Sequence, residues 1–210
     1  MEDAKKQVAA KVNFPGGVYA VFSGAAEAKA KAQRELLLHS AIAGVGILLL
    51  LTIVFHNWQN LLLVLANVPF ALVGGVLAVW LTKVLGEAGE GGLTIGSLVG
   101  FVTLFGITTR NSIMMISHFE HLVNEEGMTW GLEAAMRGAS ERLMPILMTA
   151  TVTALGLLPL ALGTGEAGRE IEGPMAIVIL GGLVTSTLLN LLVLPTLAVR
   201  YGRFEKREDL

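Results

Sequence analysis

Arg110 is the residue whose chemistry most needs explaining. It lies in GFVTLFGITTRNSIMMISHFEH, the stretch from Gly100 to His121, which has the composition of a membrane-spanning helix. A guanidinium does not shed its proton to escape hydrocarbon. Placing its charge there costs roughly 3 to 15 kcal/mol, depending on how far water follows it. Such a residue is a functional candidate by default, and it needs an anion or several carbonyls as partner. No carboxylate lies in the apolar part of any span of this chain. The plainer alternative is a structural cation snorkelling from a helix end to the interface. Against it, Arg110 sits well inside the apolar run, after Gly100 to Thr109 and before Ile113 to Ile116.

Other residues could join it. Thr149 and Thr153 share one face of the next span, although Thr in a spanning helix often bonds its own backbone or glues helices together. Asn111 and Asn190 can bond Arg110 or neighbouring backbone, or serve as packing glue. His118 and His121 are spaced by three, with Met114 and Met115 one turn earlier. Imidazole and thioether can ligate metal, but interfacial histidines and lipid- or core-facing methionines are the better reading. Arg110, Met114 and His118, spaced by four, share a stripe. Glu166, Glu170 and Glu172 fall in or beside a loop, where solvation is expected and cation attraction is the alternative. The glycines of GTGEAG suit a turn, not a phosphate cradle, because no strand precedes them. No Ser/His, paired-carboxylate or HExxH arrangement is present, which argues against an enzyme. No cofactor and no metal site are expected.

The elements that must position these groups follow from composition. The chain has 210 residues, 53% hydrophobic and 15% charged, with mean hydropathy +0.67. A soluble domain is usually about a quarter charged, and the shortfall is concentrated in long apolar runs. The class is therefore an all-α integral membrane protein. The net charge of −2 leaves no footprint for nucleic acid. With no cysteine, disulfides and thiolate metal sites are excluded. No signal-peptide core appears in the first thirty residues.

Residues 1–35 are the sizeable soluble segment. Ala4, Val8 and Val12 mark a short amphipathic helix, Pro15-Gly16-Gly17 breaks it, and Val18 to Phe22 has strand character. AAEAKAKAQREL then favours helix, with Glu27 and Lys31 at helical spacing. Helix, strand and helix cannot close a core, so the segment is expected to be the α/β edge of a larger domain. The alternative is a flexible, partly helical tail. Five spans are expected, at about 36–55, 61–81, 93–122, 143–162 and 174–198, with a tail over 201–210. Gly96 and Gly100 form a small-residue face on the third span. Gly182, Ser186 and Asn190 form another on the fifth, and both are expected to allow close helix approach. An odd span count puts the termini on opposite sides. Arg137, Arg142, Arg200, Arg203, Lys206 and Arg207 gather on the C-terminal side, which makes that side cytoplasmic and residues 1–35 periplasmic, provided the N-terminal basic residues belong to a large folded domain.

Three phrases then become specific: GFVTLFGITTRNSIMMISHFEHLV, RLMPILMTATVTALGLLPLALGTGEAGREIEGPMA and IVILGGLVTSTLLNLLVLPTLAVRYG. Together they resemble the last three membrane helices of the resistance–nodulation–division (RND) efflux permeases. GLLPLALGTG followed by Glu170, and the GGLVTSTLLNLLVLP ending, are most similar to the heavy-metal branch (CusA/CzcA type). NFPGGVYAVFSG resembles the end of that family's periplasmic porter region.

The resemblance implies the C-terminal part of a proton antiporter of the bacterial inner membrane, exporting heavy-metal cations or drugs. Its expected partners are the missing N-terminal part of the permease, two further copies in a homotrimer, a periplasmic adaptor, an outer-membrane channel and membrane lipid. In that family a cation on this helix pairs with aspartates elsewhere in the permease. Arg110 takes its place, followed by Asn111. Thr149 matches a threonine of the same relay, and Arg142 an arginine at the cytoplasmic entrance. Drug exporters typically carry Lys where this chain has Arg110, and many metal exporters carry an apolar residue. An arginine can act there as a fixed countercharge but not as a proton carrier. The competing class is a free-standing or truncated multi-span protein with a structural or binding role and no transport of its own.

Overall fold

The computed structural model describes residues 25–54, 57–85, 94–166 and 168–204. The expected first helix and strand, at residues 4–22, lie outside the described residues. Among those described, five helices are long and apolar enough to cross a membrane. They are α1 (Ala25–Val54), α2 (Trp58–Leu85), α3 (Ile95–Asn124), α4 (Leu132–Leu162) and α5 (Glu172–Tyr201). In hydrocarbon a backbone must satisfy its own hydrogen bonds, and a helix does so within one segment. That rule explains why Pro69, Pro145, Pro159 and Pro195 all lie inside helices without ending them.

The chain divides into two units, Met1–Gly44 and Val45–Leu210. In the described part of the first, Lys31 and Glu35 pair at 3.9 Å one turn apart, and His39 Nδ1 donates to the Glu35 carbonyl at 2.6 Å.

In the second unit α5 is the central helix, packed against α2, α3 and α4. Glycine makes these approaches possible. A Cβ on Gly100 would sit 2.9 Å from the Met175 carbonyl oxygen and from Val178 Cβ. One on Gly181 would meet Ala78, and one on Gly182 would meet the Leu104 side chain. Thr94 caps α3, its Oγ1 accepting from the Ser97 amide at 3.1 Å. At one end of the bundle α2 and α4 begin while α3 and α5 finish. An aromatic group closes that end: the Trp130 and Phe204 rings lie 4.0 Å apart, and Phe119 stands edge-on to Phe204 at 5.9 Å.

A polar seam runs between α2, α3 and α5. Asn67 Nδ2 donates to Ser112 Oγ at 2.7 Å and to Asn190 Oδ1 at 2.6 Å. Ser112 Oγ also donates to Asn190 Oδ1 at 3.1 Å, and Thr108 and Ser186 hydroxyls meet at 3.0 Å. All five side chains are buried. Asn60, two turns before Asn67, donates to Glu120 Oε1 and to the Arg203 carbonyl, each at 3.2 Å. Two asparagines on one face thus tie α2 to α3 and to the end of α5. Interhelical bonds of this kind are worth about 0.6 to 2 kcal/mol each in membranes. Asn67→Ala in the full permease is therefore expected to lower its resistance to unfolding by about 1 to 2 kcal/mol, read from the loss of helical circular dichroism against denaturing detergent. A curve superimposing on the parent's would show that the seam contributes nothing.

Candidate functional site: a cationic cleft between α3 and α4

Two helices present matching faces. Ile107, Arg110, Asn111 and Met114 of α3 repeat at intervals of three and four. So do Arg142, Pro145, Ile146, Thr149, Ala150 and Thr153 of α4. With Leu183 of α5 they line a cleft of about 130 Å³. That volume admits several waters, each needing roughly 10 to 15 Å³, and falls short of the roughly 300 to 1,000 Å³ of an organic ligand pocket.

The cleft is charged with one sign. Arg110 is exposed at its edge, and among the described residues its guanidinium makes no hydrogen bond or ion pair. Across the cleft, Arg142 is half-buried. Its Nε is buried without a partner, and its Nη2 donates to His118 Nδ1 at 3.4 Å. No carboxylate stands among the lining residues. Two permanent cations in the lining of one small, mostly apolar cleft call for an anion nearby.

The remaining candidates fall in different places. Asn111 is buried and lines the cleft. Thr149 Oγ1 donates to the carbonyls of Pro145 at 3.1 Å and Ile146 at 2.9 Å; a hydroxyl so bonded keeps acceptor capacity on its oxygen. Thr153 lies further along the same wall. Met114 lines the cleft, whereas Met115 is fully buried in the core. His118 and His121 stack with ring centroids 6.2 Å apart. Gly96 abuts the Ile171 carbonyl. Ser186 and Asn190 belong to the polar seam, not to the cleft.

An ion network adjoins Arg142 through His118. His118 Nε2 is 2.7 Å from Glu141 Oε2. Glu141 Oε1 accepts from Arg137 Nε at 2.9 Å, and Arg137 Nη2 pairs with Glu126 Oε2 at 2.6 Å. Among the described residues no group of three or more His, Cys, Asp and Glu is placed to hold a metal ion.

Helices of this length and apolarity, built around buried polar groups, define a polytopic membrane protein. The model of the AcrB/AcrD/AcrF family matches residues 1–201. Protein HelA of Legionella pneumophila is 38% identical over 210 residues, which is all of this chain and 19% of HelA. The cobalt-zinc-cadmium resistance protein CzcA of Cupriavidus metallidurans is 37% identical over 209 residues, 99% of this chain and 19% of CzcA. A crystal structure of a heavy metal efflux pump superposes with a TM-score of 0.69 at 37% identity, covering 93% of this chain and 19% of the pump. The chain belongs to the AcrB/AcrD/AcrF family, and within it is similar to heavy-metal permeases of the RND type. It spans 19% of the length of these relatives.

Proposed function

We propose that this chain supplies five membrane helices of a proton-driven RND permease that exports heavy-metal cations across the bacterial inner membrane. The observation that carries the proposal is the cleft itself, whose lining holds Arg110, Arg142 and Thr149 and no carboxylate. Arg110 is the fixed countercharge. Its partner is a carboxylate on permease outside these 210 residues. While the carboxylate is ionised, the pair holds α3 against the partner helix. Protonation removes the attraction, water enters, and the helices repack, which is an electrostatic switch between two packings. Asn111 and Thr149 supply polar contacts for water in the cleft, and Arg142 stands at its mouth. The chemistry is transport, with no bond made or broken in the cargo.

The end carrying Arg137, Arg142, Arg200 and Arg203 faces the cytoplasm, in keeping with the excess of basic residues there, and residues 1–35 belong to the periplasmic side. By analogy with the family, the permease works as a homotrimer with a periplasmic adaptor and an outer-membrane channel. CzcA's name specifies cobalt, zinc and cadmium, and divalent cations of that kind are the proposed cargo.

The full permease, reconstituted in vesicles with an imposed pH gradient, is expected to move zinc or cobalt against its concentration gradient. Collapsing the pH gradient with an uncoupler should stop that movement. Metal movement indifferent to the uncoupler would overturn the proton coupling. Proton flux stimulated by lipophilic drugs and not by these metals would replace the proposed cargo.

A further inference from the structure

His118 lies two helical turns beyond Arg110 on α3, about 12 Å along the axis. Its side chain is 12% exposed and bridges two charged groups of α4. Nε2 faces Glu141 at 2.7 Å and Nδ1 faces Arg142 Nη2 at 3.4 Å. A guanidinium can only donate, so where Arg142 bonds to the ring, Nδ1 is bare and accepts. The single hydrogen of the neutral ring then sits on Nε2 and is donated to Glu141. Both nitrogens are committed, and their neighbours fix the tautomer.

The charged groups around the ring come from every segment packed on it. His121, on α3 itself, stacks against it. Glu141 and Arg142 touch it from α4. Arg137 of α4 reaches it through Glu141, and Glu126 of the α3–α4 connection reaches it through Arg137. Of these, Arg142 alone also lines the cleft. The 3.4 Å contact is the sole hydrogen bond that the Arg142 side chain makes among the described residues.

We propose that His118 is a positioning residue that gates Arg142 by taking up a proton at Nδ1. This rests on reading the cleft as a proton relay. A proton from hydronium, which leaves as water, forms an N–H bond at Nδ1, and the Arg142 N–H···Nδ1 hydrogen bond breaks because its acceptor is gone. The imidazolium stays beside Glu141, which balances its charge. Arg142, now next to a second cation and freed of its one bond, turns its guanidinium into the cleft. Loss of the proton from Nδ1 to water restores the acceptor and draws Arg142 back. The state of one imidazole thus sets how many cations the cleft presents to the carboxylate that Arg110 serves.

The test uses His118→Gln in the full permease, reconstituted as above. Glutamine can accept from Arg142 and donate to Glu141 but does not titrate. Zinc export driven by a fixed pH difference is expected to persist within about threefold at neutral pH. Its dependence on internal pH between 5 and 8 should flatten to less than about twofold, where the parent shows a titration step. A variant profile that superimposes on the parent's would overturn the inference. Should the variant fail to assemble, nitrogen NMR of the histidine-labelled parent decides instead. A neutral His118 carrying its hydrogen on Nε2, and gaining a second on Nδ1 in acid, supports the gate. A neutral ring with its hydrogen on Nδ1, or no second hydrogen gained there in acid, overturns it. If the parent shows no proton-coupled export at all, the proposed function fails; if it does and the profiles coincide, only the gate fails.

Discussion

Arg110→Ala in the full permease is expected to cut metal export by at least about a hundredfold while leaving the amount of folded permease in the membrane unchanged. The two halves of this expectation have separate causes. Folding is spared because the guanidinium is exposed at the cleft edge and, among the described residues, bonds to nothing that alanine would leave unsatisfied. Export is lost because the proposed carboxylate partner loses its cation. Breaking a buried pair by removing one member costs about 3 to 5 kcal/mol, on the order of a hundred- to several-thousandfold in a rate or coupling constant. A carboxylate left alone in a low-dielectric site holds its proton and no longer cycles. Arg110→Lys keeps the charge but loses the planar fork, so it is expected to fall between the two. Uptake of zinc into inverted vesicles, normalised to permease by immunoblot, measures each variant. Export by Arg110→Ala within twofold of the parent would remove the countercharge from the mechanism.

The sequence made one part of this site visible and hid another. Arg110 stood out because a permanent charge in an apolar run has no cheap explanation. Thr149 and Arg142 came into view only through family resemblance, since a threonine in a span bonds its own backbone as readily as anything else, and Thr149 does so here. The contacts of His118 were not legible because its partners lie 23 and 24 residues away, on a helix whose facing residues no periodicity specifies. The stripe of Arg110, Met114 and His118 was legible; that Glu141 and Arg142 meet its end was not. Asn67 carried a usable signal, being an amide in an apolar span, yet its partners Ser112 and Asn190 are 45 and 123 residues distant. The helices themselves were plain, because hydrocarbon allows an apolar run of that length few other structures. The glycine repeat on α3 was equally legible as a surface for close approach, but what it approaches required the fold.

That approach gives the largest stability effect expected in the bundle. A Cβ on Gly96 would collide with the carbonyl of Ile171, at the start of α5, and backbone there cannot step aside without moving the helix. A Cβ on Gly182 would collide with Cδ2, Cδ1 and Cγ of Leu104, a fully buried side chain. Gly100 is intermediate, since its neighbours are the Met175 carbonyl and the Val178 Cβ, both at 2.9 Å. Gly106, on the same helix, has nothing within 4 Å of the same position. Overpacking a tight interface costs about 1 to 3 kcal/mol. Glycine to alanine at an open helical position instead gains up to about 1 kcal/mol from helix propensity. Gly96→Ala and Gly182→Ala are therefore each expected to destabilise the permease by about 1 to 3 kcal/mol, with Gly106→Ala neutral or stabilising. The fraction of monodisperse permease surviving a heating series in mild detergent ranks the variants. The order matters more than the size, because it separates tight helix contacts from an open position. If Gly96→Ala survives heating as well as Gly106→Ala, the close packing of α3 on the start of α5 is not what holds these helices together.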